Sequence, residues 1–172
     1  MALGTFAAGA YAGTYTPPSG SALPLGITQA GYTLSWKNHQ RAIAGSDVYG
    51  DSTVDKVDRG LDVFLSAVFW ERKAGPMAIV SPFNQMAANG AVNIDMGIRG
   101  KLATDQAGQV VLTVTAGTPS ATNGPATLTL PLVRLNDGLT SFVFDSVHQT
   151  IPFDGQVFPY AASSNTRFGV GT

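Results

Sequence analysis

The chain contains no cysteine, so disulfide staples, thiolate metal sites and cysteine nucleophiles are excluded from the start. Charge is scarce as well. Lys, Arg, Asp and Glu make up 12% of the 172 residues, about half the ~25% of an ordinary soluble domain, and the mean hydropathy is slightly positive, +0.12. Such a surface disperses a lone monomer poorly, which argues that other copies cover much of it. No apolar run approaches the roughly 18 residues of a membrane helix, so a bilayer span is not expected. A formal net charge of −1 argues against a phosphate-gripping surface. Glutamate occurs once, at Glu71, and histidine twice, at His39 and His148; neither histidine has a second ligand at metal spacing. The serine-hydrolase elbow G-x-S-x-G is missing. The segment Gly97 to Leu102 fails as a phosphate loop, because Asp95 and Leu102 stand where that loop needs a glycine and a hydroxyl. The spacing of Asp51, Asp55 and Asp58 does not match a calcium loop. With no catalytic, metal or cofactor motif in hand, the expectation is a protein that is not an enzyme.

What the chain does have is glycine, proline, threonine and valine, the composition of short strands joined by turns. In Gly31 to Lys37, Tyr32, Leu34 and Trp36 share one side of a strand, with Thr33, Ser35 and Lys37 on the other. From Leu61 to Trp70, Leu61, Val63, Leu65, Ala67 and Phe69 form an apolar side; Asp62, Phe64, Ser66, Val68 and Trp70 form a mixed one. The glycine-punctuated stretch from Ala44 to Gly60 reads as a long polar loop between these strands, and loops of that length usually carry function. SPFNQMAANG, residues 81–90, has a serine cap, a proline at the first helical position and a terminal glycine, so it predicts the one short helix, packed through Phe83, Met86 and Ala87. Before it, 72–75 reads as a polar turn and Met77 to Val80 as an apolar run. Further strands are predicted around Ile94 to Ile98, Val110 to Val114, Leu128 to Leu132 and Phe142 to Phe144. A last one, Ile151 to Tyr160, is interrupted at Asp154-Gly155 and pushed to an edge or to bulges by Pro152 and Pro159.

The fold class expected is all-β: an antiparallel β-sandwich or barrel with one short flanking α-helix and a long inter-strand loop. Met1 to Trp36 carries no charged side chain, and residues 1–30 read as an arm lying on a neighbouring subunit, with Phe6, Tyr11 and Tyr15 as its anchors. Residues 31–172 then form a single domain. The Ala44 to Gly60 loop, through Asp47, Asp51, Lys56 and Arg59, is the expected contact with a further copy, pairing with Arg72, Lys73 or Arg99 there.

The order of these features resembles the tail tube proteins of long-tailed, siphovirus-like bacteriophages. The resemblance rests on a strand opening with Gly31 and ending in Trp36-Lys37, the segment SDVYGDSTVDKVDRG, and the strand LDVFLSAVFWE. GKLATD, VVLTVTAGTPSATNGPATLTLPLVRL and SVHQTIPFDGQVFPY follow in the same order. The chain departs from the pattern at His148 and Gln149, where a basic residue is usual. The resemblance implies a virion structural protein of the phage tail, assembled in the host cytoplasm into stacked hexameric rings. Its partners would be itself, the tape measure protein and other tail proteins, with double-stranded DNA passing through transiently. About four inner strands per subunit at ~4.8 Å each give a barrel roughly 37 Å across the backbone, wide enough for a duplex. Acidic or uncharged lining lets DNA slide, and the lining candidates are Asp62 and Ser66, with Asp55 and Asp58 at the mouth. Two other readings compete: a capsid decoration or minor tail protein, and a carbohydrate-binding β-sandwich using Tyr32, Trp36 and Trp70.

Overall fold

Apolar residues at every second position of 63–69 need a layer to pack on, and most of the remaining chain supplies it. The computed structural model describes residues 11–44, 53–70, 74–80, 85–86, 92–93, 102–115, 125–135, 150–162 and 165–172. In chain order the strands are β1 (Tyr11–Thr16), β2 (Leu23–Pro24), β3 (Thr28–Ala44), β4 (Thr53–Phe69), β5 (Gln85–Met86), β6 (Val92–Asn93), β7 (Gly108–Val114), β8 (Thr127–Leu135), β9 (Ile151–Val157), β10 (Tyr160–Ala162), β11 (Asn165–Arg167) and β12 (Val170–Gly171). A short helix, α1 (Ala74–Val80), follows β4, and a 3-10 turn, Thr104–Gln106, precedes β7. The fold is all-β and antiparallel with one short helix. Eight strands make one sheet in the order β2-β1-β7-β8-β9-β4-β3, with β12 beside β8; β5-β6 and β10-β11 are separate two-stranded ribbons.

The large sheet is open but curls until its two ends meet. Tyr32 on β3 lies over Gly13 on β1, where any Cβ would collide with the tyrosine hydroxyl. The link between β2 and β3 is held on both sides of this seam: Leu25 N–H donates to the Gly13 carbonyl at 2.8 Å, extending the β1-β2 pairing, and Trp70 N–H to that of Ile27 at 3.0 Å, extending the β3-β4 pairing. Inside the curl lie Tyr15, Leu25, Val63, Leu65, Phe69, Val110, Leu130, Val133, Ile151, Phe153 and Val157. Phe69 stands near its centre, with its ring 6.4 Å from that of Tyr32 and 6.1 Å from that of Phe153. The architecture is thus sandwich-like, made by one bent sheet instead of two separate ones.

Several elements differ from the sequence reading. The helix is α1, whose Gly75, Pro76, Met77, Ile79 and Val80 are all buried. It closes the core against β1, β2, β8 and β9. An apolar helix sunk in a core shows neither amphipathic spacing nor polar caps, the two cues on which the sequence reading relied. Within the predicted helix, Gln85–Met86 is strand and pairs with Val92–Asn93, and the rest of residues 81–90 lies outside the described residues. So do the strands expected around Ile94 to Ile98 and Phe142 to Phe144.

The strand at the C-terminal end, expected at an edge or bulged, is instead regular and, for part of its length, central. β9 runs unbroken through Asp154-Gly155, pairing with β4 throughout and with β8 over Gly155 to Val157. Gly155 is accommodated because the Phe153 ring folds over it, in space a Cβ would need. Pro152 lies in the half of β9 away from the β8 pairing, and Pro159 follows the strand. In β8 the register with β7 shifts between Val110↔Leu130 and Gly108↔Val133. This bulge moves the buried phase from Leu130 to Val133, so the strict alternation predicted for Leu128, Leu130 and Leu132 stops at Pro131.

From Tyr11 onward the charge-free N-terminal stretch is part of the same sheet. β1 pairs with β7 along its whole length and with β2, so an arm comprising residues 1–30 does not describe it. Tyr15, expected to anchor on a neighbour, is 2% exposed in the chain's own core. A strand needs no charge if both its neighbours and its buried face are internal.

Candidate assembly surface

The stretch from Ala44 to Gly60, expected as a loop, is mostly strand. β3 and β4 form one long hairpin in which Ile43 opposes Asp55 and Ala44 opposes Thr53; the tip, 45–52 with Asp47 and Asp51, lies outside the described residues. Near the body this hairpin alternates buried and half-buried on β4 from Asp62 to Phe69, whereas residues 35–43 and 55–61 are exposed on both faces. The distal half is therefore a two-stranded ribbon standing in solvent, with nine β3 residues, 36–44, reaching about 30 Å at ~3.3 Å per residue. Polar residues occupy both of its faces because neither faces the core, which is why its sequence lacks an alternating signal. A bulge adds to the disguise. His39 opposes Gly60 and Gln40 opposes Asp58, so Arg59 is the extra residue, and Gly60 takes φ 148°, a value suited to glycine.

Cross-strand pairs share a face, so the register sorts the ribbon. One face, continuous with the core side, carries Trp36, Leu61, Asn38, Gln40, Asp58 and Lys56. The other, continuous with the outer side of the sheet, carries Lys37, His39, Asp62, Arg41, Val57 and Ile43, with Asp55 opposite Ile43. The bulge thus separates residues the sequence reading grouped. Asp62 and Ser66 are half-buried on the outer side, Asp55 is exposed on it, and Asp58 is on the opposite face. Each of these aspartates has a local partner: the Gln40 amide donates to Asp58 at 2.8 Å, and Lys56 N–H to Asp55 at 2.7 Å. His39 Nε2 and Asp62 Oδ2 are 2.6 Å apart. Lys56 and Arg59 are exposed on the ribbon.

Toward the body, the outer side of β8-β9-β4-β3 is a four-stranded face. Arg134, Gln156, Phe64 and Ser35 form one row across it, and Asp154, Ser66 and Thr33 another. Its charged residues are Arg134, Asp154, Asp62 and Lys37, so the face is balanced and not acidic; Arg134 and Asp154 each have an interaction partner. Phe64 and Val68 are half-buried there beside the polar residues. The sequence reading missed Lys37, His39 and Arg41 as a group, although their spacing of two on one strand face was the available signal.

Among the described residues, four large apolar side chains are exposed on the ribbon: Trp36 at 41%, Ile43 at 45%, Val57 at 51% and Leu61 at 36%. Arg41, Ala42, Ile43, Val57 and Arg59 line a shallow groove. Among the described residues β4 is the only strand paired with β3, leaving the other edge of a 17-residue strand with unpaired main-chain donors and acceptors. The three aromatics considered for sugar binding do not line up. Tyr32 packs against the core, and exposed Trp36 and Trp70 sit at opposite ends of the hairpin's body half.

Tyr11, half-buried, donates from its hydroxyl to the Pro125 carbonyl at 3.3 Å, and Phe6 lies outside the described residues. Burial pushes the Tyr15 pKa up to about 12. Burial does the same for Tyr32, opposed by the Gly13 backbone, which its hydroxyl approaches at a geometry too poor for a full hydrogen bond. Arg72, Lys73 and Arg99, the cations proposed as partners for the loop, lie outside the described residues. Among those residues no helix is long and apolar enough to cross a membrane. No known protein-family model matches the chain, and no curated protein is significantly similar to it.

Proposed function

We propose that this chain is a structural subunit completed by its own copies, and that the assembly is the stacked hexameric tube of a siphovirus-like phage tail. One observation carries the reading. A hairpin ribbon solvated on both faces, bearing four exposed large apolar side chains and a long open edge, is marginal in isolation and is stabilised when neighbouring subunits cover it. The scarcity of charge across the chain supports the same conclusion. In the tube, the outer face of β8-β9-β4-β3 supplies the four inner strands per subunit, with Asp62 and Ser66 toward the lumen. The balanced charge of that face offers a passing duplex no net positive surface to hold it. The ribbon, through Lys56, Arg59 and the tip with Asp47 and Asp51, reaches the adjacent ring. Its partners are further copies, the tape measure protein and other tail proteins; it has no catalytic role.

Sedimentation velocity and negative-stain electron microscopy of the purified chain, over a range of concentration and salt, test this reading. Annular particles or hollow tubes are expected. A discrete small oligomer would instead indicate a decoration or minor tail protein, and a monomer under every condition would remove the assembly reading altogether.

A further inference from the structure

The ribbon groove is apolar at its floor and cationic at its rims, and no ion-pair partner for Arg41 or Arg59 is present among the described residues. On the body, an exposed apolar side chain stands in the same turn as an unpartnered carboxylate. Leu102, 69% exposed, is the most exposed large hydrophobic among the described residues, and Asp105 follows it in the same tight turn, where its N–H donates to the Leu102 carbonyl at 3.2 Å. Gln106 is buried, which fixes the turn with its apolar and acidic members outward. Of the described aspartates, Asp55, Asp58 and Asp62 are bonded on the hairpin and Asp154 has a partner; Asp105 is the carboxylate left without one among the described residues.

We infer that the Leu102–Asp105 turn of a second copy of this chain docks in the ribbon groove, Leu102 against Ile43 and Val57, Asp105 between the guanidiniums of Arg41 and Arg59. This deepens the assembly reading and rests on it, since it names the surface the ribbon meets. Two planar donors facing one carboxylate favour bidentate pairing. The contact is heterologous, ribbon to body, so it propagates copy after copy instead of closing as a symmetric dimer.

Charge reversal tests the contact. Arg41→Asp with Arg59→Asp, and separately Asp105→Arg, should each raise the concentration needed for higher-order assembly about tenfold or more. Combining the three changes should restore much of it, while circular dichroism and thermal unfolding confirm that all variants fold. Because the chain lacks cysteine, Val57→Cys with Leu102→Cys provides an independent readout: mild oxidation should give a ladder of covalent multimers on denaturing gels, with neither single variant passing dimer. Assembly insensitive to reversal, with no ladder, overturns this contact while leaving a tube-forming subunit intact. A ladder and a swap rescue without annular particles would support the contact and remove the tube. A chain that never associates removes both.

Discussion

The two halves of the β3-β4 hairpin are made of the same two strands, yet they follow different rules. In the body half, Val63, Leu65, Ala67 and Phe69 are buried on one side and read as a strand from spacing alone. In the distal half, every residue of 35–43 and 55–61 is exposed, two-residue periodicity is lost, and bulges appear at Arg59 and beside Val54. Periodicity in sequence therefore reports contact with a core, not the presence of a strand. A strand that meets no core within its own chain has no reason to display it.

Removing the distal half outright should separate its role from that of the body most strongly. Replacing residues 38–61 with an Asn-Gly turn joins Lys37 to Asp62, which already face each other, in a favoured two-residue hairpin. Assembly should disappear in electron micrographs, while urea unfolding of the monomer changes by less than ~1 kcal/mol. A matched pair of truncations sharpens the contrast. Phe69→Ala should lower stability by about 3–5 kcal/mol, and Val57→Ala, on the ribbon, by no more than about 0.5 kcal/mol. Equal losses would mean that the ribbon is internally packed.

Glycine substitutions divide in the same way. Gly75→Ala puts a Cβ against the Pro24 carbonyl, backbone against backbone, and should destabilise by about 2–3 kcal/mol in chemical denaturation. Gly60→Ala meets open space and is disfavoured only by its positive φ, for roughly 1 kcal/mol.

Alkaline pH should act on the body alone. Tyr15 and Tyr32 are raised by burial from 10.0 to about 12, so the unfolded chain releases these protons first. Their contribution to stability is complete below pH 10 and is lost as pH rises toward 12. Ultraviolet difference titration should show two tyrosines ionising late and together with unfolding. At the ribbon root, His39→Ala should likewise change monomer stability by less than about 1 kcal/mol, because its partner Asp62 is also well exposed. A larger loss would place the start of the body beyond that pair.

Much of the fold was legible where burial is one-sided: the Leu61 to Trp70 strand, the Val110 to Val114 strand and the all-β class. The helix was not, because Met77, Ile79 and Val80 are enclosed by sheet from several directions and leave no amphipathic trace. Nor was the candidate surface as a whole. Lys56 and Arg59 were picked out by charge, but grouping Asp58 with Asp62 required a face that the extra residue at Arg59 reverses.

By itself, the order of residues determined that this chain is built of strands, contains no thiol chemistry and carries little charge. Those properties follow from side-chain chemistry and two-residue spacing, which need no partner to be read. Tertiary structure alone decided that one sheet bends until Tyr32 meets Gly13, that Tyr15 belongs to the core, and that an apparent loop is a ribbon. Each depends on contacts between residues far apart in the chain, and a bulge of one residue is enough to exchange the faces on which such contacts form.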